Sequence, residues 1–170
     1  MDELKYWHAV FTASRAEKKV RDRLGELGVE CFLPVQTVLR QWTYRKSRVV
    51  VPVIAGLVFV RVGRQEQVKV LQTKGVVAFL RLKGEAGAAV IPDKQMEDFR
   101  FLLDFSEEAV EMTNENIKAG DLVRVVKGSL RGMEGELIRH KGVTKVLVRI
   151  DMLGCAMVNI PASFVEKLNK

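Results

Sequence analysis

The stretch Gly120–Lys167 reads GDLVRVVKGSLRGMEGELIRHKGVTKVLVRIDMLGCAMVNIPASFVEK, and it decides the fold of the C-terminal part of the chain. Apolar and polar residues alternate in Val123–Val126 and again in Val146–Ile150, as they do in strands that bury one face. Glycines separate these runs at short intervals, and glycine adopts positive φ without a Cβ penalty. The spacing therefore predicts a small β-barrel of short strands.

The same stretch resembles the KOW motif, which is part of an SH3-like barrel that binds RNA or protein. The positions that match the motif are Gly120, Asp121, Lys127, Gly128, Arg131, Gly132 and Gly135. Ser129 stands where the motif commonly has proline. The resemblance implies a role in transcription or translation, and the many valines favour a barrel over a helical hairpin.

Length and charge narrow the class of protein. The 170 residues suffice for one ordinary domain or two small ones, and the 48% apolar content suffices for a packed core. The net charge is +7 at pH 7 and the pI is about 9.6, which favours association with a polyanion such as nucleic acid. A basic soluble protein without such a partner is the alternative that charge alone leaves open.

The cysteines and the N-terminal residues indicate in which cellular compartment the protein works. The two cysteines, Cys31 and Cys155, lie far apart in apolar, strand-like surroundings, so a disulfide framework is not expected. The N-terminal residues lack the basic start and the apolar stretch of a signal peptide, and no run approaches roughly 18 apolar residues. We therefore expect a cytoplasmic protein with no membrane partner.

The N-terminal part predicts a mixture of strands and helices. Ser14 and Glu17 have the spacing of a capping box, which predicts a helix through about Leu27. Val68 and Leu71 are expected to face inward on a second helix. The other predicted elements are strands Tyr6–Thr12, Val29–Val38, Val49–Ile54, Leu57–Val62 and Val76–Leu82, a basic hairpin through 39–48, and helices 65–73 and 93–105.

An acidic segment divides the chain. Residues 106–116 contain Glu107, Glu108, Glu111 and Glu115 and no basic residue, whereas basic residues exceed acidic ones on both sides. We predict a domain at 1–105, a linker at 106–116 and a second domain at 117–170, with both domains positive enough to touch one polyanionic assembly.

The sequence offers no catalytic constellation. His8 and His140 are the only histidines, and neither has metal-ligand spacing to a cysteine or to the other. Hydrolase, zinc-protease and Walker motifs are lacking, and acid pairs such as Glu97-Asp98 are better interpreted as solvated charge. We therefore expect no catalytic residues, metal or cofactor, and an enzyme is the weakest of the functional alternatives.

The N-terminal module resembles the N-terminal (NGN) domain of the NusG family. The resemblance rests on Trp7 and Phe11, on Val51–Val60, on Arg61, and on Gly75–Leu80 with Ile91-Pro92. The family usually has Phe-Pro-Gly/Asn-Tyr where this chain has Ile54-Ala55-Gly56-Leu57. With the KOW motif, the resemblance covers nearly the whole chain and implies an α+β fold: an NGN domain with an antiparallel sheet flanked by helices, then a small SH3-like barrel.

The resemblance also implies partners. The resemblance implies that an NGN domain docks on the clamp helices of RNA polymerase. By matching position, the docking residues would be Phe11, Ile54, Leu57 and Phe79. The alternative is that these side chains only pack in the core, and Ile54 fits that alternative least well. Two basic sets are predicted to bind non-template DNA or RNA, with solvated charge as the alternative. They are Arg15, Lys19 and Arg23 on the first helix, and Arg45, Lys46 and Arg48 on the hairpin near Trp42.

These expectations combine into a transcription elongation or antitermination factor, expected to be a monomer. The KOW module would serve as an adaptor for Rho or for a small-subunit ribosomal protein. The Glu-Lys-Lys-Val of the first helix and the Gln-Trp-Thr-Tyr-Arg-Lys of the hairpin resemble the UpxY-type paralogues, which act on capsular polysaccharide operons. A KOW protein that binds RNA or the ribosome in translation is the competing hypothesis.

Overall fold

The computed structural model describes residues 3–168, and their contacts form two compact units. One unit holds the residues up to Val35 together with Ile54–Asp93, and the other holds Gln36–Val53 together with the residues from Lys94 onward. The sequence instead assigns 36–53 and 94–105 to the N-terminal domain. The domain boundaries at 105 and 116 therefore stay a prediction.

The described residues alternate short strands with three α-helices. The helices are α1 Glu17–Glu26, α2 Arg64–Leu71 and α3 Asp93–Phe105. The strands are β1 Tyr6–Thr12, β2 Glu30–Phe32, β3 Val35–Gln41, β4 Lys46–Pro52, β5 Leu57–Val62, β6 Val76–Phe79, β7 Glu111–Thr113, β8 Asp121–Val125, β9 Glu134–His140, β10 Val143–Ile150, β11 Gly154–Asn159 and β12 Val165–Lys167.

A four-stranded antiparallel sheet organises the first unit, with the strand order β2-β5-β1-β6. The apolar strand β5 lies inside this sheet and is buried on both faces, as its nearly continuous apolar sequence predicts. Val58, Val60 and Val62 pack on one face with Val20 and Leu24 of α1. The opposite face of β5 carries Leu57 and Phe59, which are also buried.

The first two helices differ from their predictions at specific points. The N-cap of α1 is Ala16 without a side-chain hydrogen bond, so the predicted capping box of Ser14 and Glu17 is wrong. On α2, Val68 and Leu71 are exposed and Val70 is the buried residue. The eight-residue helix is too short for its apolar spacing to identify the inward face.

The second unit contains a hairpin and a larger antiparallel sheet. Strands β3 and β4 pair with each other, and the Trp42 N–H donates to the carbonyl of Arg45 at 2.7 Å to close the turn. The larger sheet has the order β12-β8-β9-β10-β11-β7. The predicted α+β fold with antiparallel sheets is confirmed. Within residues 3–168 no strand pairing closes the six-stranded sheet into a barrel, so the predicted SH3-like barrel stays a prediction. Strand β7 lies within the segment predicted as a linker.

Candidate binding surfaces

The predicted polymerase-binding residues divide between surface and core. Phe11 lies directly opposite Leu57 in the pairing of β1 with β5, so the two side chains share one face of the sheet. Phe11 is 39% exposed and Ile54 is partly exposed, whereas Leu57 is 2% exposed. The Thr12 N–H donates to the Gly56 carbonyl at 2.9 Å, which holds the turn after Ile54 against the end of β1. Phe11 and Ile54 are therefore the accessible members of this set.

Phe79 does not join that surface. It pairs with Val10 on β1, one position away from Phe11, and successive residues of a strand point to opposite faces. Its side chain is 4% exposed and packs in the cluster formed with α1 and α2. Phe79 therefore lies in the core, on the face of the sheet opposite Phe11, and a docking role for it stays a prediction.

The three basic residues predicted at the first helix differ in whether their side chains are already engaged in the fold. Arg15 is exposed and precedes α1 with a positive φ of 58°. Lys19 is exposed on α1. The Nη1 of Arg23 donates to the carbonyl of Lys74 at 2.7 Å, so this guanidinium helps to hold the turn before β6. Arg15 and Lys19 are the members whose charge faces solvent.

The hairpin combines exposed cations with exposed aromatic rings. Arg45, Lys46 and Arg48 are all exposed. Tyr44 is 98% exposed at the tip and Trp42 is 49% exposed. The Trp42 Nε1–H donates to Ser47 Oγ, which orients the indole beside the turn. Cations that contact phosphates and aromatic rings that stack on bases are the combination that single-stranded nucleic acid requires.

The KOW residues form a tight loop between β8 and β9. Gly128 and Gly132 have the predicted positive φ, whereas Gly135, for which the same spacing predicts it, does not. The Gly132 N–H donates to the Val125 carbonyl at 2.8 Å. Lys127 and Arg131 are exposed on this loop. A cavity of about 200 Å³ beside the loop is lined in part by Lys127, Leu130 and Phe164.

Other motif residues lie where β8, β9 and β10 pack closely together. A Cβ at Gly120 would lie 2.1 Å from the Leu137 carbonyl oxygen, and a Cβ at Gly135 would lie 2.9 Å from that of Leu147. The Gly120 N–H donates to Glu136 Oε1 at 3.0 Å. Glu136 also forms a bidentate pair with Arg149, at 2.7 Å to Nε and 3.0 Å to Nη2. This hydrogen bonding raises the pKa of Arg149, and Asp121 lies exposed at the start of β8.

Lys145 is a residue that the sequence interpretation missed. It is only 7% exposed although it is charged, and its ammonium pairs with Glu111 on β7. Its signal in the sequence is its place in the apolar run of β10, because a lysine is almost never buried without a partner. This hydrogen bond with Lys145 lowers the pKa of Glu111.

Two further findings concern the described residues as a set. Within 3–168, no group of three or more histidine, cysteine or acidic side chains is arranged to hold a metal ion. None of the helices in that range has the length and apolar character needed to cross a membrane.

One family model and several solved structures are similar to this chain. A family model described as NusG, transcription termination factor nusG, matches residues 5–100. A solved structure of domain interaction in Thermotoga maritima NusG is 23% identical, with a TM-score of 0.52 over 97% of this chain and 98% of that one. A crystal structure of the MjSpt4:Spt5 complex in conformation B is 16% identical, with a TM-score of 0.32 over 96% and 97% of the two chains. No curated protein matches the chain.

Proposed function

The chain belongs to the NusG family, and from this premise we propose that it is a transcription elongation or antitermination factor that acts by binding and not by catalysis. The match of the family model to residues 5–100 is the observation that carries the proposal. Two features support it. One is the pair of accessible apolar side chains Phe11 and Ile54, which we call the Phe11 and Ile54 face, and the other is the basic hairpin with its exposed Tyr44.

The Phe11 and Ile54 face is proposed to bind RNA polymerase, on the clamp helices of its largest subunit. Both side chains are accessible, and Leu57 lies beside Phe11 on the same face of the sheet, where it supports the surface from below. An apolar side chain kept at the surface costs solubility unless a partner covers it, which favours a docking role.

Capture of purified core RNA polymerase by the immobilised full chain tests this docking. Ile54→Asp places a charge in the apolar contact and should reduce capture at least about tenfold, the effect of roughly 1.4 kcal/mol. Val77→Asp is the matched control, because Val77 is 64% exposed on the edge strand β6. Equal capture by the wild-type chain and Ile54→Asp, or no capture by either, contradicts the proposal. Recovery with ribosomes and not with polymerase favours the competing role in translation.

The hairpin and the exposed cations near α1 are proposed to bind the non-template DNA strand or RNA. Phosphate contacts release counterions, so affinity should fall steeply with salt. Replacing Arg45, Lys46 and Arg48 with alanine should reduce the slope of log K against log salt by about 0.7 per lost contact to a single strand. Lys69, Arg81 and Lys83 are exposed cations elsewhere, and their triple alanine variant is the control. An unchanged slope in the hairpin variant would show that Arg45, Lys46 and Arg48 are only solvated and do not contact phosphates.

The KOW module is proposed to act as the adaptor, through Lys127 and Arg131 on its glycine loop, toward Rho or a small-subunit ribosomal protein. The specialised role on capsular polysaccharide operons rests on the resemblance to UpxY-type paralogues. Deleting the gene should then lower the promoter-distal transcripts of such an operon more than its promoter-proximal ones. An equal loss across unrelated long operons indicates a general factor instead.

A further inference from the structure

We propose that the edge of β11 is a docking site for an extended acidic segment of a partner protein, and that residues Val110–Glu115, called the strap, occupy this site in the free chain. The inference goes beyond the proposed function, and it draws on the adaptor role only in naming a protein as the partner. It concerns an edge of the sheet that neither the glycine loop nor the hairpin uses.

Main-chain pairing gives the site its shape. Strand β7 of the strap pairs antiparallel with β11, with Thr113 opposite Cys155 and Glu111 opposite Met157. Without the strap, β11 would be the edge of this sheet, because the order ends β10-β11-β7. An uncovered edge offers a row of unpaired N–H and C=O groups to any extended chain.

Gly154 shows that the edge is built for a close backbone approach. A Cβ at this position would lie 2.0 Å from the Thr113 carbonyl oxygen, and Gly154 has a φ of 105°. Only glycine leaves room for the strap at the start of β11. The requirement concerns the backbone of the occupying strand, so a different extended segment would fit there as well.

Charge selects the kind of segment. Lys145 is 7% exposed and is paired with Glu111, which is the contact that makes its burial tolerable. At the end of the strap, Glu115 Oε2 lies 3.3 Å from His140 Nε2. An occupant with a carboxylate at the Glu111 position satisfies Lys145, whereas a basic or apolar one leaves the ammonium buried without a partner.

The strap itself has few anchors. Its ladder is three residues long. Gln36 of β3 bonds both backbone groups of Val110, at 3.1 Å each. Glu111 and Glu115 keep more than half of their side-chain surface exposed, at 56% and 59%. Val110 is 5% exposed, and Met112 and Thr113 are half-buried. A strand of three residues with one buried apolar neighbour belongs to the low-stability end of local opening.

The test uses the full chain and a fluorescent peptide with the sequence AVEMTNEN, which corresponds to 109–116. In the variant Gln36→Ala/Glu111→Lys, the strap loses its anchor and meets Lys145 with a like charge. The peptide should bind this variant at least about tenfold more tightly than the wild-type chain, where the strap competes at an effective concentration on the order of millimolar. Amide exchange at Cys155–Met157 should quicken in the variant and slow again when the peptide is added.

Two matched controls address the chemistry. Adding Lys145→Met to the variant should abolish binding of the acidic peptide, because the apolar side chain offers a carboxylate no partner. A peptide with lysine in place of its first glutamate should not bind the variant that retains Lys145. Equal binding of the acidic peptide to the wild-type chain and the variant, or to the variant with and without Lys145→Met, overturns the proposal. Unchanged exchange in the variant overturns it as well, since Gln36 and Glu111 would then not hold the strap. The assay contains no polymerase or nucleic acid, so its failure is distinct from failure of the proposed function.

Discussion

At the scale of single residues, Gly120 shows how a motif glycine permits the close approach of two strands, since it lies directly before β8 against Leu137 of β9. Gly120→Ala would place a Cβ 2.1 Å from the Leu137 carbonyl oxygen, and backbone must move to relieve the clash. We expect the free energy of unfolding to fall by about 1–3 kcal/mol, as in other overpacked sites. Urea unfolding followed by circular dichroism measures the loss. Gly87→Ala is the control, because a Cβ there meets nothing within 4 Å; equal stability of the two variants contradicts the packing role.

The conformation of a residue was predictable from the sequence where it depends on the local backbone alone. The positive φ of Gly128 and Gly132 follows from the spacing of the loop. Phe79 was not predictable, because a motif match does not say on which face of β6 a side chain lies, and the pairing with Val10 places it in the core. The ion pair of Lys145 was not predictable either. Its partner Glu111 is distant in sequence, and it reaches Lys145 only because β7 pairs with β11.

At the scale of elements, β7 should respond to acid through Glu111. The hydrogen bond with Lys145 lowers the pKa of this carboxyl below its usual 4.5. Its stabilisation is therefore fully present above pH 4.5 and disappears as the pH falls through the lowered pKa. Because Glu111 is 56% exposed, we expect Glu111→Gln to cost only about 0.2–1 kcal/mol at pH 7.

Urea unfolding at a series of pH values checks this expectation. The difference between the wild-type chain and Glu111→Gln should shrink below pH 4.5 and vanish at lower pH. Glu166→Gln, at an exposed carboxylate on β12, serves as the control. A difference that persists unchanged to the lowest pH shows that the carboxylate charge is not what holds β7.

The hairpin element carries a second prediction, for Tyr44. Its ring is 98% exposed, so replacing it should leave folding unchanged. Tyr44→Ala should weaken binding of a single-stranded oligonucleotide by about 1–3 kcal/mol if one base stacks on the ring. Tyr44→Phe keeps the ring and should bind like the wild-type chain in the same fluorescence titration. Loss of binding in both variants would assign the effect to the hydroxyl and not to stacking.

Helices and strands with a long apolar pattern were predictable from the sequence. Elements whose bounds depend on tertiary contacts were not. Strands β1 and β5 and helix α3 have their predicted bounds, because long apolar patterns identify such elements. The Ser14 cap failed because Arg15 adopts a positive φ, which delays the start of α1 to Glu17. Strand β7 was not predicted, because its sequence, Glu-Met-Thr, is short and mostly polar. Only its pairing with β11 makes it a strand.

For the whole molecule, the proposal requires that the Phe11 and Ile54 face and the basic hairpin act on one assembly. Two linked contacts raise the overall affinity far above that of either alone, and removing one contact loses that gain. Replacing Arg45, Lys46 and Arg48 with alanine should therefore weaken binding to polymerase on a DNA bubble at least about tenfold. The same variant should bind core polymerase without nucleic acid within about twofold of the wild-type chain, because the hairpin is proposed to contact nucleic acid and exposed charges add little to a contact between proteins.

Ile54→Asp should weaken binding to both forms of the polymerase, since its surface is proposed to contact protein alone. Titrating the labelled wild-type chain and each of the two variants into each form, at one fixed salt concentration, gives the six affinities needed. The net charge of +7 predicts that added salt narrows the gap between the two forms, because the nucleic-acid contact is the one that ions screen. If the hairpin variant loses affinity equally for both forms, the hairpin contacts polymerase and the assignment to nucleic acid is wrong.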